Sequence, residues 1–96
     1  MRIISKRTIR DFAVGRNRLA LAPLEYWYSI AKKAAWKNPA EVRRDFNAVD
    51  FVGDLAVFDV GGNKYRLIAS IKYRWQILYI RRVLTHAEYD KGDGKS

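Results

Sequence analysis

The sequence predicts an α+β domain of two layers, in which two to three N-terminal helices pack on one face of a mainly antiparallel sheet. Apolar residues recur at helical spacing in the first half of the chain and alternate with a period of two after Asp50. The third observation is the segment Gly61-Gly62-Asn63, which joins two strand-like runs and is typical of a tight hairpin connection.

A chain of 96 residues fits one domain, so residues 1–96 are interpreted as a single unit whose polar tail, residues 91–96, frays. Hydrophobic residues make up 49% of the chain, which is enough for a packed core and excludes disorder throughout. Its apolar runs are short and broken by charge, and its first ten residues do not resemble a signal peptide. We therefore expect a cytoplasmic protein without a membrane segment.

The first four residues are interpreted as a short strand or an extended lead-in, and Ser5 is a candidate N-cap for a helix that ends at about Gly15. The core face of this helix is predicted to consist of Ile9, Phe12 and Ala13. A second helix is predicted from Pro23 to Trp36. Its apolar face repeats at helical spacing and comprises Leu24, Trp27, Tyr28, Ala31 and Ala35.

A third, short helix is predicted to begin after Asn38 and to end near Phe46, because Asn38, Pro39 and Glu41 form the start signal of a capped helix. Three strands follow with short turns between them, over Leu55–Val60, Lys64–Lys72 and Gln76–Val83. Helices that all precede the strands are expected to cover only one face of this sheet.

Alternation divides the middle strand into two faces. The apolar face, expected to pack under the helices, comprises Tyr65, Leu67, Ala69 and Ile71. In the final strand Leu78 and Ile80 suit the core. The opposite face is predicted to be exposed and positively charged, and to carry Lys64, Arg66, Tyr79 and Arg81.

The formal net charge of +9 indicates an anionic partner, with nucleic acid ahead of an acidic protein or an anionic membrane. Residues 1–44 hold 11 basic and three acidic side chains, and residues 64–82 hold six basic side chains and no acid. Four aspartates at positions 45, 50, 54 and 59 have no metal-binding spacing and are interpreted as turn residues or contacts to a basic partner. With no cysteine and one histidine, a zinc site is not expected.

The segment Thr85 to Lys91 places an imidazole, a phenol, two carboxylates and an ammonium directly after the last strand. By themselves, His86 reads as a surface or capping residue and Tyr89 as a packing residue. Beside a basic sheet face, they supply the parts for RNA transesterification, in which one group deprotonates a 2′-hydroxyl and another protonates the leaving 5′-oxygen. Arginines can hold the phosphate, so neither a metal nor a cofactor is expected.

Nearly the whole chain resembles the HigB-type toxins of the RelE superfamily. The strings that carry this resemblance are VFDVGGNKYRL from Val57, Tyr79-Ile80-Arg81, THAEYD from Thr85, and WKNPAEV from Trp36 with Phe46. The resemblance implies a RelE-like fold and an mRNA interferase that acts on the ribosome and stops translation. It also implies a HigA-type helix-turn-helix antitoxin, which neutralises the toxin and is the only link to operator DNA.

By position in this resemblance, Arg66 matches the arginine that contacts the scissile phosphate, and Arg81 matches a basic residue of the final strand. Arg66 and Arg81 are together expected to clamp the phosphate as catalytic residues. His86 and Tyr89 match the acid/base region, with their two roles left open between them. Lys64 and Lys37 are carried over as RNA-binding residues, and Asn63 either positions substrate or shapes the turn.

Two other functions fit the same composition. The first is a non-catalytic RNA- or ribosome-binding module of the same fold, which needs the basic face but not His86. The second is an interaction protein whose basic surface docks an acidic partner.

Overall fold

The computed structural model describes residues 1–15 and 17–91, and the fraying predicted for the tail beyond Lys91 lies outside these residues. The helices are α1 (Lys6–Gly15), α2 (Leu21–Lys33), α3 (Pro39–Asp45) and α4 (His86–Asp90). The strands are β1 (Arg2–Ile4), β2 (Val49–Val52), β3 (Leu55–Val60), β4 (Tyr65–Lys72) and β5 (Ile77–Thr85). Short 3₁₀ turns span Arg18–Ala20 and Tyr73–Trp75. The predicted α+β class is confirmed.

Over the described residues the sheet has five strands in the order β1-β5-β4-β3-β2. Strands β2 to β5 pair antiparallel, and β1 pairs parallel to β5, so the sheet is mainly antiparallel as predicted. The strand β2 was not predicted, because its four residues are too few for a clear alternation. It adds an outer strand that pairs Val49 with Phe58 and Val52 with Leu55.

The helices α1, α2 and α3 contribute to a core on one face of the sheet, as predicted. Ile9, Phe12 and Ala13 are the buried residues of α1. Four aromatic rings form the centre of this core, with neighbouring centroids 5.3 to 6.3 Å apart, and belong to Trp27, Trp36, Phe46 and Phe58. The core side chains predicted for β4 and β5 are confirmed as members or close neighbours of this cluster.

The predicted end of the second helix at Trp36 is wrong, because α2 ends at Lys33 and Ala34 is extended (φ −71°, ψ 154°). Trp36 instead turns into the core, where its indole Nε1 donates to Asp45 Oδ2 at 2.8 Å. The Trp36 carbonyl oxygen accepts a hydrogen bond from Gln76 Nε2 at 2.7 Å. These contacts outweigh the local helical pattern, and Ala35, predicted to lie in the core, is exposed.

The predicted exposure of the second sheet face is also wrong for Arg66 and its neighbours, whereas Lys64 and Arg81 are exposed as predicted. Val57, Ile68 and Leu84 form a second buried cluster on this face, against which Tyr89 of α4 packs. Arg66 lies beside this cluster and is only 8% exposed. Five residues of helix after the last strand are enough to fold back over the sheet, which the alternation pattern could not indicate.

No helix among the described residues is long and apolar enough to cross a membrane.

Candidate active site

The β3–β4 hairpin builds one side of the site. Its strands pair up to Val60 and Tyr65, which leaves a four-residue turn. Gly61, Gly62 and Asn63 all have positive φ values, of 70°, 64° and 76°, and glycine and asparagine are the residues that adopt this conformation most readily. The positive φ value therefore explains Asn63 as a residue of the turn. Its side chain also contacts the strand that follows, β4.

The Arg66 guanidinium lies at the centre of the site with partners on both terminal nitrogens. Nη1 forms an ion pair with Asp59 Oδ1 at 2.8 Å, and Nη2 donates to Asn63 Oδ1 at 2.7 Å. Nη1 also donates to the backbone carbonyl oxygens of Tyr65 and Asn63, at 3.2 and 3.3 Å. Because Asp59 and Arg66 lie directly opposite each other in the sheet, the hairpin itself brings the charges together.

His86 completes the cluster from the other side. Its Nδ1 lies 2.8 Å from Arg66 Nη2, and its Nε2 lies 2.9 Å from Asp90 Oδ2. The backbone amide of His86 donates to the Lys64 carbonyl oxygen at 2.9 Å, which ties the start of α4 to the start of β4. The imidazole is 44% exposed, so one edge of the cluster remains open to a ligand.

Local capping holds α4 in this position. The Thr85 hydroxyl accepts from the Glu88 amide at 3.2 Å, and the Glu88 carboxylate accepts from the Thr85 amide at 2.9 Å. This reciprocal capping box stabilises a helix of only five residues, which would not form by propensity alone. It directs Tyr89 over the sheet, with its ring centroid 5.8 Å from Arg66 Cζ.

The structure thus brings Arg66, His86, Tyr89 and Asn63 together and keeps the Lys64 backbone in contact with them. The Lys64 side chain is exposed at the rim. Arg81 is exposed further along β5 and lies 5.7 Å from the Tyr79 ring centroid. A β-bulge occurs here, because Ile68 pairs with Arg82 and Ala69 with Ile80, so Arg81 has no directly opposite residue.

Lys37 is not part of this cluster. It follows Trp36, whose carbonyl contacts Gln76 just before β5, whereas Arg66 pairs with Leu84 near the end of that strand. At about 3.3 Å per residue, the two ends of β5 are roughly 25 Å apart.

Three further polar residues of this region were not among the predicted site residues. Asp59 was interpreted as a turn or partner contact, but it pairs with Arg66, and its position opposite Arg66 across a four-residue turn could have revealed this. Asp90 is four residues after His86, which places both on one side of a helix. Arg82 shares the sheet face of Ile68 only because of the bulge, for which the sequence carries no clear signal.

This arrangement suits acid/base chemistry on a phosphodiester. A guanidinium provides paired donors for phosphate oxygens, and an imidazole and a phenol within reach of it can accept and donate protons. Among residues 1–15 and 17–91, no group of three or more His, Asp or Glu side chains is placed to hold a metal ion. The fold and the site together describe the class of small α+β proteins whose arginine and acid/base side chains suit chemistry on a phosphate.

Comparisons with known proteins identify the family. Residues 20–92 match the family HigB_toxin, described as the RelE-like toxic component of a toxin–antitoxin system. The chain is 35% identical over 94 residues to a protein of Escherichia coli O6:H1 named mRNA interferase HigB, covering 95% of this chain and 90% of that protein. It is 31% identical over 93 residues to the mRNA interferase toxin HigB of Escherichia coli K12, covering 94% and 88% respectively. The chain therefore belongs to the HigB toxin family.

Proposed function

We propose that this HigB-family toxin is an mRNA endoribonuclease that inhibits translation and acts on mRNA in the ribosome. The observation that carries the proposal is the 2.8 Å contact between Arg66 Nη2 and His86 Nδ1, with the Tyr89 ring beside them. Cleavage of RNA by its own 2′-hydroxyl requires three groups at one place: a hydrogen-bond donor that binds the phosphate, a general base and a general acid. The names of the related Escherichia coli proteins support the same activity.

In the proposed reaction, His86 and Tyr89 divide the acid/base work. One of them accepts the proton of the 2′-hydroxyl as the 2′-oxygen forms a bond to phosphorus. The bond from phosphorus to the 5′-oxygen breaks, and the other residue protonates that oxygen. The products are a 2′,3′-cyclic phosphate and a 5′-hydroxyl, and Arg66 stabilises the charge that develops on the phosphate oxygens.

The remaining basic residues act on the RNA backbone in this proposal. Lys64 and Arg81 are exposed near the cluster and along β5, where they can contact neighbouring phosphates. Lys37 lies too far away to touch the same phosphate, so we assign it to mRNA or ribosomal RNA outside the cleavage site. In this proposal Asn63 holds Arg66 through its side-chain oxygen.

The expected partners follow from membership of a toxin–antitoxin family. We infer a HigA-type helix-turn-helix antitoxin as the neutralising partner, and operator DNA as a contact of the antitoxin alone. Because the proposed substrate is mRNA in the ribosome, we infer that the protein acts in the cytoplasm. The proposed chemistry requires no cofactor, since Arg66 supplies the positive charge and protein side chains exchange the protons.

One observation favours a second candidate, a non-catalytic RNA- or ribosome-binding module. Arg66 is buried and already ion-paired with Asp59, so part of its charge is neutralised before any phosphate arrives. Such a module would still use the exposed cations at Lys64 and Arg81, but His86 would have no chemical role.

Induced expression with mapping of mRNA ends separates these candidates. The wild-type protein should arrest growth and produce discrete cleavage ends, and Arg66→Ala should abolish both while the protein still folds and binds its antitoxin. A matched control is Arg74→Ala, which removes an exposed arginine that stacks on Trp75 beyond β4. Growth arrest without discrete ends would favour the binding module, and discrete ends from Arg66→Ala would contradict the proposed site.

A further inference from the structure

We propose that Asp90 is a positioning residue that holds the proton of His86 on Nε2, and that Arg66 covers the remaining lone pair on Nδ1 until a substrate phosphate takes its place. This inference rests on the proposed function and assigns the role of base to His86 and that of acid to Tyr89. It follows from the hydrogen-bonding capacity of the three side chains and from two distances.

The first step is the assignment of the proton. A guanidinium carries only donors, so the 2.8 Å contact between Arg66 Nη2 and His86 Nδ1 requires a bare lone pair on Nδ1. The Asp90 carboxylate accepts only, so its 2.9 Å contact with Nε2 requires a proton there. Both neighbours therefore select the same neutral tautomer, with the proton on Nε2 and the basic nitrogen at Nδ1.

The contact with Arg66 also controls access to the base. Arg66 donates to Nδ1, so the only lone pair of the imidazole is occupied in this structure. A phosphate oxygen is charged and forms a stronger bond to a guanidinium than a neutral ring nitrogen does. The phosphate is therefore expected to displace Nδ1 from Arg66, while the ion pair to Asp59 keeps the guanidinium in position through its other nitrogen. Substrate binding thus uncovers the base.

The third step is the proton transfer itself. The 2′-hydroxyl proton moves to Nδ1 as its oxygen attacks phosphorus, which leaves an imidazolium with protons on both nitrogens. Asp90, already bonded to the Nε2 proton, stabilises this positive charge. The 5′-oxygen leaves with a proton from the Tyr89 hydroxyl, and proton return from His86 to Tyr89 restores the starting state. Atoms and charge therefore balance without a further reactant.

Nitrogen NMR tests the tautomer directly, because His86 is the only histidine of the chain and its signals need no further assignment. We expect the wild-type protein at neutral pH to show a protonated Nε2 and an unprotonated Nδ1. Inorganic phosphate, or a short RNA with a 2′-deoxy nucleotide at the cleavage site, should shift the Nδ1 resonance. A proton on Nδ1 in the free protein, or no shift with either probe, would overturn the inference.

Variants of Asp90 test its positioning role. Because Asp90 is 59% exposed, Asp90→Ala should fold normally, which thermal unfolding can verify. We expect it to bind RNA as the wild type does, to cleave about 10- to 100-fold more slowly, and to show both tautomers with the 2′-deoxy RNA bound. Asp90→Asn keeps an oxygen that accepts from Nε2 and should recover the tautomer and part of the rate.

Asp50→Ala is the matched control, because it removes an exposed aspartate on β2 and should change neither readout. An Asp90→Ala protein with wild-type cleavage and a single tautomer would refute the role of Asp90. If the wild-type protein cleaves no RNA at all, the proposed function fails. The NMR result then still decides whether Asp90 and Arg66 fix the tautomer.

Discussion

At the scale of single residues, the buried arginine is the feature that sequence alternation described least well. The pattern placed Arg66 on the second sheet face, which is correct, but exposure was inferred from its charge. Burial of a guanidinium is costly unless its donors are satisfied, and Asp59, Asn63 and His86 satisfy them here. The position of Asp59 opposite Arg66 follows from the hairpin, whereas the contacts with Asn63 and His86 depend on turn geometry and on the placement of α4, so they become visible only in the fold.

Asp59→Asn should therefore destabilise the protein by about 1 kcal/mol and lower cleavage. The ion pair is lost while Arg66 remains buried, and the guanidinium is held less firmly against the incoming phosphate. Urea unfolding measures the first effect and an RNA cleavage assay the second. Asp54→Asn, in the turn between β2 and β3, is the control that should leave both unchanged; equal effects from the two substitutions would contradict a specific role for Asp59.

Tyr73 predicts a dependence of stability on alkaline pH. Burial raises the pKa of the Tyr73 phenol above its usual value of 10.0, against the opposing effect of nearby Arg43. The neutral phenol is therefore favoured in the folded state, so this contribution is present below pH 10 and is lost as the pH rises through the folded pKa. The unfolding free energy should fall more between about pH 9 and about pH 11 for the wild type than for Tyr73→Phe. An equal fall for the two proteins would refute the contribution of Tyr73.

At the scale of secondary structure, local signals succeeded where they act through neighbouring residues. The cap of α3 and the hairpin turn were predicted because Asn38 and the two glycines act within a few residues. The end of α2 and the existence of β2 were not predicted correctly from the sequence. Trp36 leaves the helix for contacts with Asp45 and Gln76, and such contacts cannot be inferred from periodicity.

The caps of α3 and α4 allow a paired test at this scale. Asn38→Ala and Thr85→Ala each remove a side chain that accepts a hydrogen bond from a helix amide, and each should cost about 1 kcal/mol of unfolding free energy. Only Thr85→Ala should also reduce RNA cleavage, because α4 carries His86 and Tyr89 into the site. Calorimetry with a cleavage assay checks this; similar activity of the two variants would show that the cap does not position the site.

At the scale of the whole molecule, the aromatic core supports the sheet on which the site is built. Phe58 is fully buried on β3, one residue before Asp59. Phe58→Ala should destabilise the protein by about 3–5 kcal/mol, a large share of the 5–15 kcal/mol typical of such domains. Denaturant unfolding measures this loss. Val52→Ala, at a half-exposed edge position, should stay within about 0.5 kcal/mol, and comparable losses would contradict this picture of the core.

The order of the strands has a consequence for folding during synthesis of the protein. The first strand, β1, pairs with β5, with Arg2 opposite Ile77, so this pairing forms only after residues 2–77 have been synthesised. Domains emerge N-terminus first at about 5–20 residues per second, and pairings between distant segments form late. His86 and Tyr89 follow β5 and are synthesised after all five strands of the sheet. A nascent chain that has not reached Tyr89 therefore lacks both proposed acid/base groups, so the ability to cleave cannot precede synthesis of the sheet.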